Sequence, residues 1–153
     1  RLEVPKAFQE QLHKGFESYI GLKDALVKDD TKGVVDEANS LLKDLDIVDM
    51  KLLNDEAHKH WMAMEKELKS FANSISKTSD IKEQRDHFKH LSSHMINAVQ
   101  LFGVDEEVYV EFCPMADNNS GAYWLSKEEK VINPYFGDAM LTCGVVKQVI
   151  DKK

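Results

Sequence analysis

Four sulfur-bearing side chains near the C-terminus are the residues whose types and spacing could do chemistry. Cys113 and Met115 are separated by one residue, and Met140 precedes Cys143 by three positions. Side chains alternate between the two faces of an extended strand, so Cys113 and Met115 would point to one side. Residues three apart share one side of a helical turn, so Met140 and Cys143 would converge as well. Because Cu(I) prefers thiolate and thioether ligands, the two pairs predict a soft-metal site if they meet in space.

The two cysteines also allow other structures. A Cys113–Cys143 disulfide would close a loop of about thirty residues and stabilise the fold by roughly 2–4 kcal/mol. Alternatively, both thiols are buried and inert, with Met115 and Met140 filling gaps in the core. Spacing alone leaves the disulfide, the metal site and the inert thiols open. The chain has no glycine-rich phosphate loop, Gly-x-Ser-x-Gly elbow or His-Glu-x-x-His helix, so we expect no enzymatic activity.

Three histidines could add nitrogen ligands. His87, His90 and His94 recur at helical spacing, a pattern that could bind Zn(II) or Cu(II). A helical wheel places them about a quarter turn from the apolar stripe, so a solvated helix face is the simpler interpretation. We retain His94 as a candidate ligand, because a C-terminal segment packed on that flank would cover it. His13, nearer the N-terminus, has no obvious partner.

The elements that must position these residues begin with four amphipathic helices. Apolar residues recur every three or four positions over 5–28, 31–45, 49–77 and 81–102. Polar residues that cap helices precede the second and fourth segments, and Gly103 follows the fourth. Short connections between such helices predict an antiparallel four-helix bundle over residues 1–103, and therefore an all-α dominated fold.

Residues 104–153 form a tail of different composition. Val108–Phe112 has the aromatic and β-branched content of a short strand. Asn133 and Pro134 suit the start of a short helix that would run through Met140 to Cys143. A tail of this size cannot make its own core, so we expect it to pack on one side of the bundle. At 153 residues, the chain suits a single domain, 1–153.

Composition limits the partners and the compartment. The net charge of -7, with acidic and basic residues interspersed, argues against binding to nucleic acid or to anionic membranes. No apolar run reaches the length of a membrane span, so we expect no membrane insertion. The sequence starts at Arg1 without an initiator methionine, and we presume that a signal peptide has been removed.

Several ordered blocks of the tail carry a resemblance to a known family. They are Cys113-Pro114-Met115, Gly121–Ser126, Asn133–Gly137 and Met140–Gly144. The combination resembles a bacterial periplasmic domain family of unknown function, which occurs as small secreted proteins and attached to adaptor subunits of heavy-metal (copper/silver) efflux systems. The resemblance implies a helical bundle with the signature tail packed on it.

The same resemblance implies copper binding in the periplasm or at the cell envelope. It points to Cys113, Met115, Met140 and Cys143 as ligands. Ala116 stands where a related Cys-Pro-Met motif has a histidine, so one nitrogen ligand is missing. We expect a domain that binds Cu(I), with silver or zinc as alternatives. It would buffer the ion or hand it to an efflux-system adaptor or transporter.

A structural or interaction module is the alternative function. In that hypothesis a Cys113–Cys143 disulfide staples the tail. Trp124, Tyr135 and Phe136 then form a docking surface, since exposed aromatic side chains are frequent interface anchors. Counting free thiols in the unreduced protein would separate the two functions.

Overall fold

A computed structural model describes every residue of the chain, from Arg1 to Lys153. Four long helices dominate it: α1 (Lys6–Val27), α2 (Thr31–Ile47), α3 (Asp55–Ser76) and α4 (Ile81–Phe102). The prediction of a helix-dominated fold is therefore confirmed. No helix in the structure is both long enough and apolar enough to span a membrane.

Capping side chains set where three of the helices begin. Asp30, Asn54 and Asp80 accept hydrogen bonds of 2.9 to 3.0 Å from backbone N–H groups in the first turns of α2, α3 and α4. The third helix was expected to start near residue 49. It starts later, because a 3-10 turn over Met50–Leu52 precedes the cap at Asn54.

One apolar core joins the helices to the tail. Phe8 packs edge-on against Trp61 and Phe102, with ring centroids 5.3 and 5.1 Å apart. Tyr19 of α1 stacks on Phe88 of α4 at 5.3 Å. The same cluster of buried residues continues into the tail, where Trp124, Leu125 and Ile150 are among its members. Burial of this apolar surface is the main force that holds the helices and the tail together.

The predicted strand at Val108–Phe112 is confirmed, but the tail contains three strands rather than one. β1 (Val108–Cys113) lies between β2 (Ala122–Ser126) and β3 (Val145–Ile150), and both pairings are antiparallel. Each outer strand is too short to show a clear period in the sequence. Their strand conformation depends on hydrogen bonds to β1, which are long-range contacts that a local pattern does not contain.

The predicted short helix from Asn133 through Met140 to Cys143 is also wrong. A single 3-10 turn over Gly137–Ala139 occupies this region, and turns follow it. Gly137 has a φ of 55°, which interrupts a right-handed helix. Asn133 does accept a hydrogen bond from the nearby Tyr135 N–H, as a cap would, but the chain then folds back on itself. Met140 and Cys143 therefore do not share a helical turn.

Polar contacts help to dock the tail on α1 and α4. The backbone N–H of Leu125 in β2 donates to the Tyr19 hydroxyl over 3.0 Å. That hydroxyl lies 2.7 Å from the Ser92 hydroxyl of α4. The Nε of Arg85 in α4 donates to the backbone oxygen of Pro134 over 2.8 Å. Its Nη2 donates to the Leu26 carbonyl at the end of α1 and to the Asp29 carboxylate in the turn that follows. The bond from Leu125 holds β2 on α1, and the bond from Arg85 holds the loop 127–144 on α4.

Candidate metal centre

The two cysteines meet at the end of the sheet. Their Sγ atoms lie 2.9 Å apart, and both are free thiols. Cys113 is the last residue of β1 and is 0% exposed, whereas Cys143 precedes β3 and is half-buried. The structure thus unites one sulfur from each of the two predicted pairs.

The sheet fixes the position of Cys113. This residue pairs with Ala122 of β2, and Glu111 pairs with Trp124 two positions earlier. Alternation along the strands places all four side chains on one face of the sheet, and all four are buried. Cys113 is therefore held by backbone pairing in the interior.

Asn133 fixes the loop that carries Cys143. Its side chain is fully buried, and its Nδ2 donates to the Cys143 carbonyl over 2.7 Å. Its Oδ1 accepts from the Tyr135 N–H at 2.7 Å, and its own N–H donates to the Leu141 carbonyl at 2.6 Å. The sequence suggested only a helix cap at Asn133. Its role in the site was missed, because the acceptor lies ten residues away in a loop without periodicity.

Gly144 lets this loop approach the sheet closely. Its φ is 146°, and a Cβ atom there would lie 3.0 Å from Trp124 Cη2 and 3.1 Å from the Phe112 carbonyl oxygen. A larger residue would push the loop, and with it Cys143, away from β1. The signal in the sequence was the glycine that directly follows the cysteine.

The backbones of Met115 and Met140 lie close to Cys143. The Cys143 N–H donates to the Met140 carbonyl over 3.2 Å. The backbone of Met115 favours the ionised form of the Cys143 thiol and so acts to lower its pKa. The Met115 side chain is 46% exposed and that of Met140 is half-buried. Met115 follows Cys113 by two residues and Met140 precedes Cys143 by three, so each methionine is a chain neighbour of one cysteine.

The pKa of Cys143 is raised above its ordinary value. The first cause is the hydrogen bond with Cys113, the second is desolvation, and the third is repulsion between the two thiolates. These causes outweigh the opposing bond from Met115. The Cys143 thiol therefore holds its proton more tightly than a free thiol, and a metal ion must displace that proton in order to bind.

His94 does not join the sulfurs. Its ring stacks on Phe71 of α3 at a centroid distance of 5.7 Å, and its Nε2 lies 3.9 Å from Glu67 of α3. The sheet instead borders the flank of α4 that carries Ser93 and Asn97, where they line one groove with Val110 of β1. The expectation that the tail covers the His94 flank is wrong. His90 also stacks on Phe71, at 5.2 Å.

His13 has partners that the sequence did not reveal. Its Nε2 lies 3.2 Å from both Glu17 and Glu106, and its Nδ1 accepts a hydrogen bond from the Asp105 N–H. In the neutral ring the proton must then sit on Nε2, the atom that a metal ion would need. Lys127 also pairs with both carboxylates, at 2.5 and 3.5 Å. This cluster is an ion-pair network that joins α1 to the tail.

Glu111 lies on the same face of β1 as Cys113, and no pattern in the sequence pointed to it. It is 0% exposed, and neither carboxyl oxygen has a hydrogen-bond partner. Desolvation raises its pKa to about 7, against the opposing charge of Lys23. The indole N–H of Trp124 also favours the ionised carboxyl, but it does not reach full hydrogen-bond geometry. A buried carboxyl group therefore lies two residues from Cys113.

Comparison with known proteins adds a family but no function. Residues 16–107 match a family described as a protein of unknown function, DUF3347. The match runs from α1 to the residue before β1, so the thiol pair lies beyond it. No curated protein and no solved structure matches the chain. Because the matched residues make up more than half of the sequence, the chain belongs to this family of unknown function.

Proposed function

We propose that Cys113 and Cys143 bind one soft monovalent metal ion, with Cu(I) as the physiological ion. The contact between their Sγ atoms, 2.9 Å apart and contributed by two different elements, is the observation that carries the proposal. Thiolates are the ligands that Cu(I) prefers. Met115 and Met140 neighbour the two cysteines in the chain, and we propose their thioether sulfurs as further ligands.

The donor set favours Cu(I) or Ag(I) over zinc. Structural zinc sites use four cysteine or histidine ligands in a tetrahedron. Here two thiols stand without a histidine, since His94 packs on α3 and position 116 is alanine. To admit an ion, the sulfurs must separate. At metal–sulfur bonds of about 2.3 Å, two sulfurs on one ion lie up to about 4.6 Å apart.

Cys143 is the side of the site that can move. Cys113 is held at the end of β1 by its pairing with Ala122 of β2, whereas Cys143 lies in a loop and is partly exposed. A shift of the Cys143 side chain would open the pair and leave both the sheet and the Asn133 hydrogen bonds intact. The same exposed side is where an incoming ligand could take over the ion.

The proposed compartment and partners rest on the resemblance of the tail motifs to the periplasmic domain family. We propose a single non-enzymatic domain in which α1–α4 form an antiparallel four-helix bundle that carries the tail. It would act in the periplasm or at the cell envelope, buffer the ion, and hand it to an efflux-system adaptor or transporter by ligand exchange. Its net charge of -7 does not favour nucleic acid as a partner.

Titration of the reduced protein with Cu(I), in competition with a chelator, tests the proposal. We expect one equivalent to bind, and a variant with Cys113→Ser and Cys143→Ser to lose it. Met62→Leu is a matched control, because Met62 is an exposed methionine of α3 outside the site. Equal binding by the double variant and the unchanged chain would overturn the proposal.

A disulfide-stapled structural module is the second candidate, and the same thiol contact favours it. Its proposed aromatic docking surface is wrong in two of three residues. Trp124 is fully buried, and Tyr135 is 8% exposed and packs on Phe88 and Trp124. Phe136 is half-buried. These side chains attach the tail to the helices. Counting free thiols in the unreduced protein gives two for the metal site and none for the staple.

A further inference from the structure

The thiol contact lies between two end states. A disulfide brings its sulfurs to about 2.05 Å, and two sulfurs on one shared ion are well over 3 Å apart. At 2.9 Å, the pair is about 0.9 Å from a disulfide and up to about 1.7 Å from the spacing on a shared ion. The Cys143 side chain can supply this movement, because it is partly exposed and lies outside the sheet, while Asn133 holds its backbone in place.

The two thiols differ sharply in access. Cys113 is fully buried, whereas Cys143 is partly exposed at the end of the sheet. Only the outer thiol can be reached by another molecule. The inner thiol is nevertheless in contact with the outer one, so it is placed to complete an exchange that Cys143 begins.

We propose that the site is gated by thiol–disulfide exchange: Cys143 reacts first with an external disulfide, Cys113 resolves the product, and the resulting bond closes the site to metal. This inference rests on the proposed function, of which it is the regulation. It makes the metal site and the disulfide two states of one centre rather than rival structures.

The chemistry balances with a disulfide of the general form RSSR as oxidant. The Cys143 thiolate attacks one sulfur, which forms a Cys143–SR mixed disulfide and releases RS⁻. The Cys113 thiolate then attacks the Cys143 sulfur, which forms the Cys113–Cys143 bond and releases the second RS⁻. The protein loses two protons and two electrons, and RSSR becomes two RSH. An external dithiol reverses both steps.

Single-cysteine variants test the order of the two steps, with oxidised glutathione as the probe and intact mass as the readout. Cys113→Ser should accumulate a glutathione adduct on Cys143, because no resolving thiol remains. Cys143→Ser should stay unmodified under the same conditions, because Cys113 is buried. The unchanged protein should lose two hydrogens without a lasting adduct. Equal adduct formation on both variants would overturn the assignment of Cys143 as the reactive thiol.

Titration with Ag(I) then tests the gate. After removal of glutathione, the oxidised protein should bind no equivalent at the site, and reduction with a dithiol should restore it. If the reduced protein binds Ag(I) but glutathione never oxidises the pair, the gate is refuted and the proposed function stands. If the reduced protein binds no Ag(I), the proposed function fails, even where the exchange proceeds. If the oxidised and reduced proteins bind Ag(I) equally, the gate is refuted and the thiols are not the metal ligands.

Discussion

Replacing Asn133 by alanine tests the link between the loop and the metal site. The change removes the bond from Nδ2 to the Cys143 carbonyl and the bond from the Tyr135 N–H to Oδ1, both 2.7 Å long. A net hydrogen bond contributes about 1 kcal/mol, and a buried group left without its partner costs about 1–3 kcal/mol. We therefore expect the free energy of unfolding to fall by about 2–4 kcal/mol.

The loss should also weaken metal binding. The Cys143 carbonyl would no longer be held by Asn133, so ordering the loop around an ion would cost more. Each 1.4 kcal/mol corresponds to a tenfold change in affinity, and we expect Ag(I) to bind at least about tenfold more weakly. Denaturant unfolding measures the stability, and competition titration of the reduced protein measures the affinity.

Gln84 provides the matched control for Asn133→Ala. It is an equally buried amide, and its Nε2 donates to the carbonyls of Thr31, at the start of α2, and Thr78, in the turn before α4, and not to the loop that carries Cys143. Gln84→Ala should lower stability by a similar amount and leave the Ag(I) affinity unchanged. If both variants leave the affinity unchanged, Asn133 supports only the fold and the reasoning about the site is wrong.

Three further predictions concern the same face of the sheet. The pKa of Glu111 is raised from 4.5 to about 7, so between these pH values the folded state binds more protons than the unfolded chain. The free energy of unfolding should therefore fall by about 3 kcal/mol as pH rises through this window. Denaturant unfolding at several pH values measures this fall, and Glu111→Gln should abolish it. Gly144 has a φ of 146°, and an added Cβ atom would lie 3.0 Å from Trp124. Gly144→Ala should therefore lower the free energy of unfolding by about 1–3 kcal/mol and weaken Ag(I) binding. Because the pKa of Cys143 is raised, Ag(I) affinity should increase with pH across the neutral range, and a flat profile would contradict that shift.

The helices could be predicted from the sequence because their signals are local. Apolar spacing and the cap at Asp80 place α4 at Ile81–Phe102, where the structure has it. The strands needed more. Val145 and Val149 are exposed on β3, so its residues show no burial pattern of their own, and its pairing with β1 spans more than thirty residues.

The site could be predicted only in part, for a similar reason. Sulfur spacing pointed to both cysteines, but their contact depends on a loop held by Asn133 and Gly144. A helical wheel gives the direction of His94 but not the neighbour it meets, which is Phe71. The partner that His13 finds at Glu106 lies far along the chain, so no local pattern could have revealed it.

X-ray absorption at the copper edge of the reduced, Cu(I)-loaded protein tests the central claim most directly. The account predicts a first shell of sulfur alone, at about 2.2–2.3 Å, with two or three sulfurs per ion. The Cys113→Ser, Cys143→Ser variant should not retain copper through gel filtration. A shell dominated by nitrogen or oxygen, or copper kept by the double variant, would contradict a thiolate site at Cys113 and Cys143.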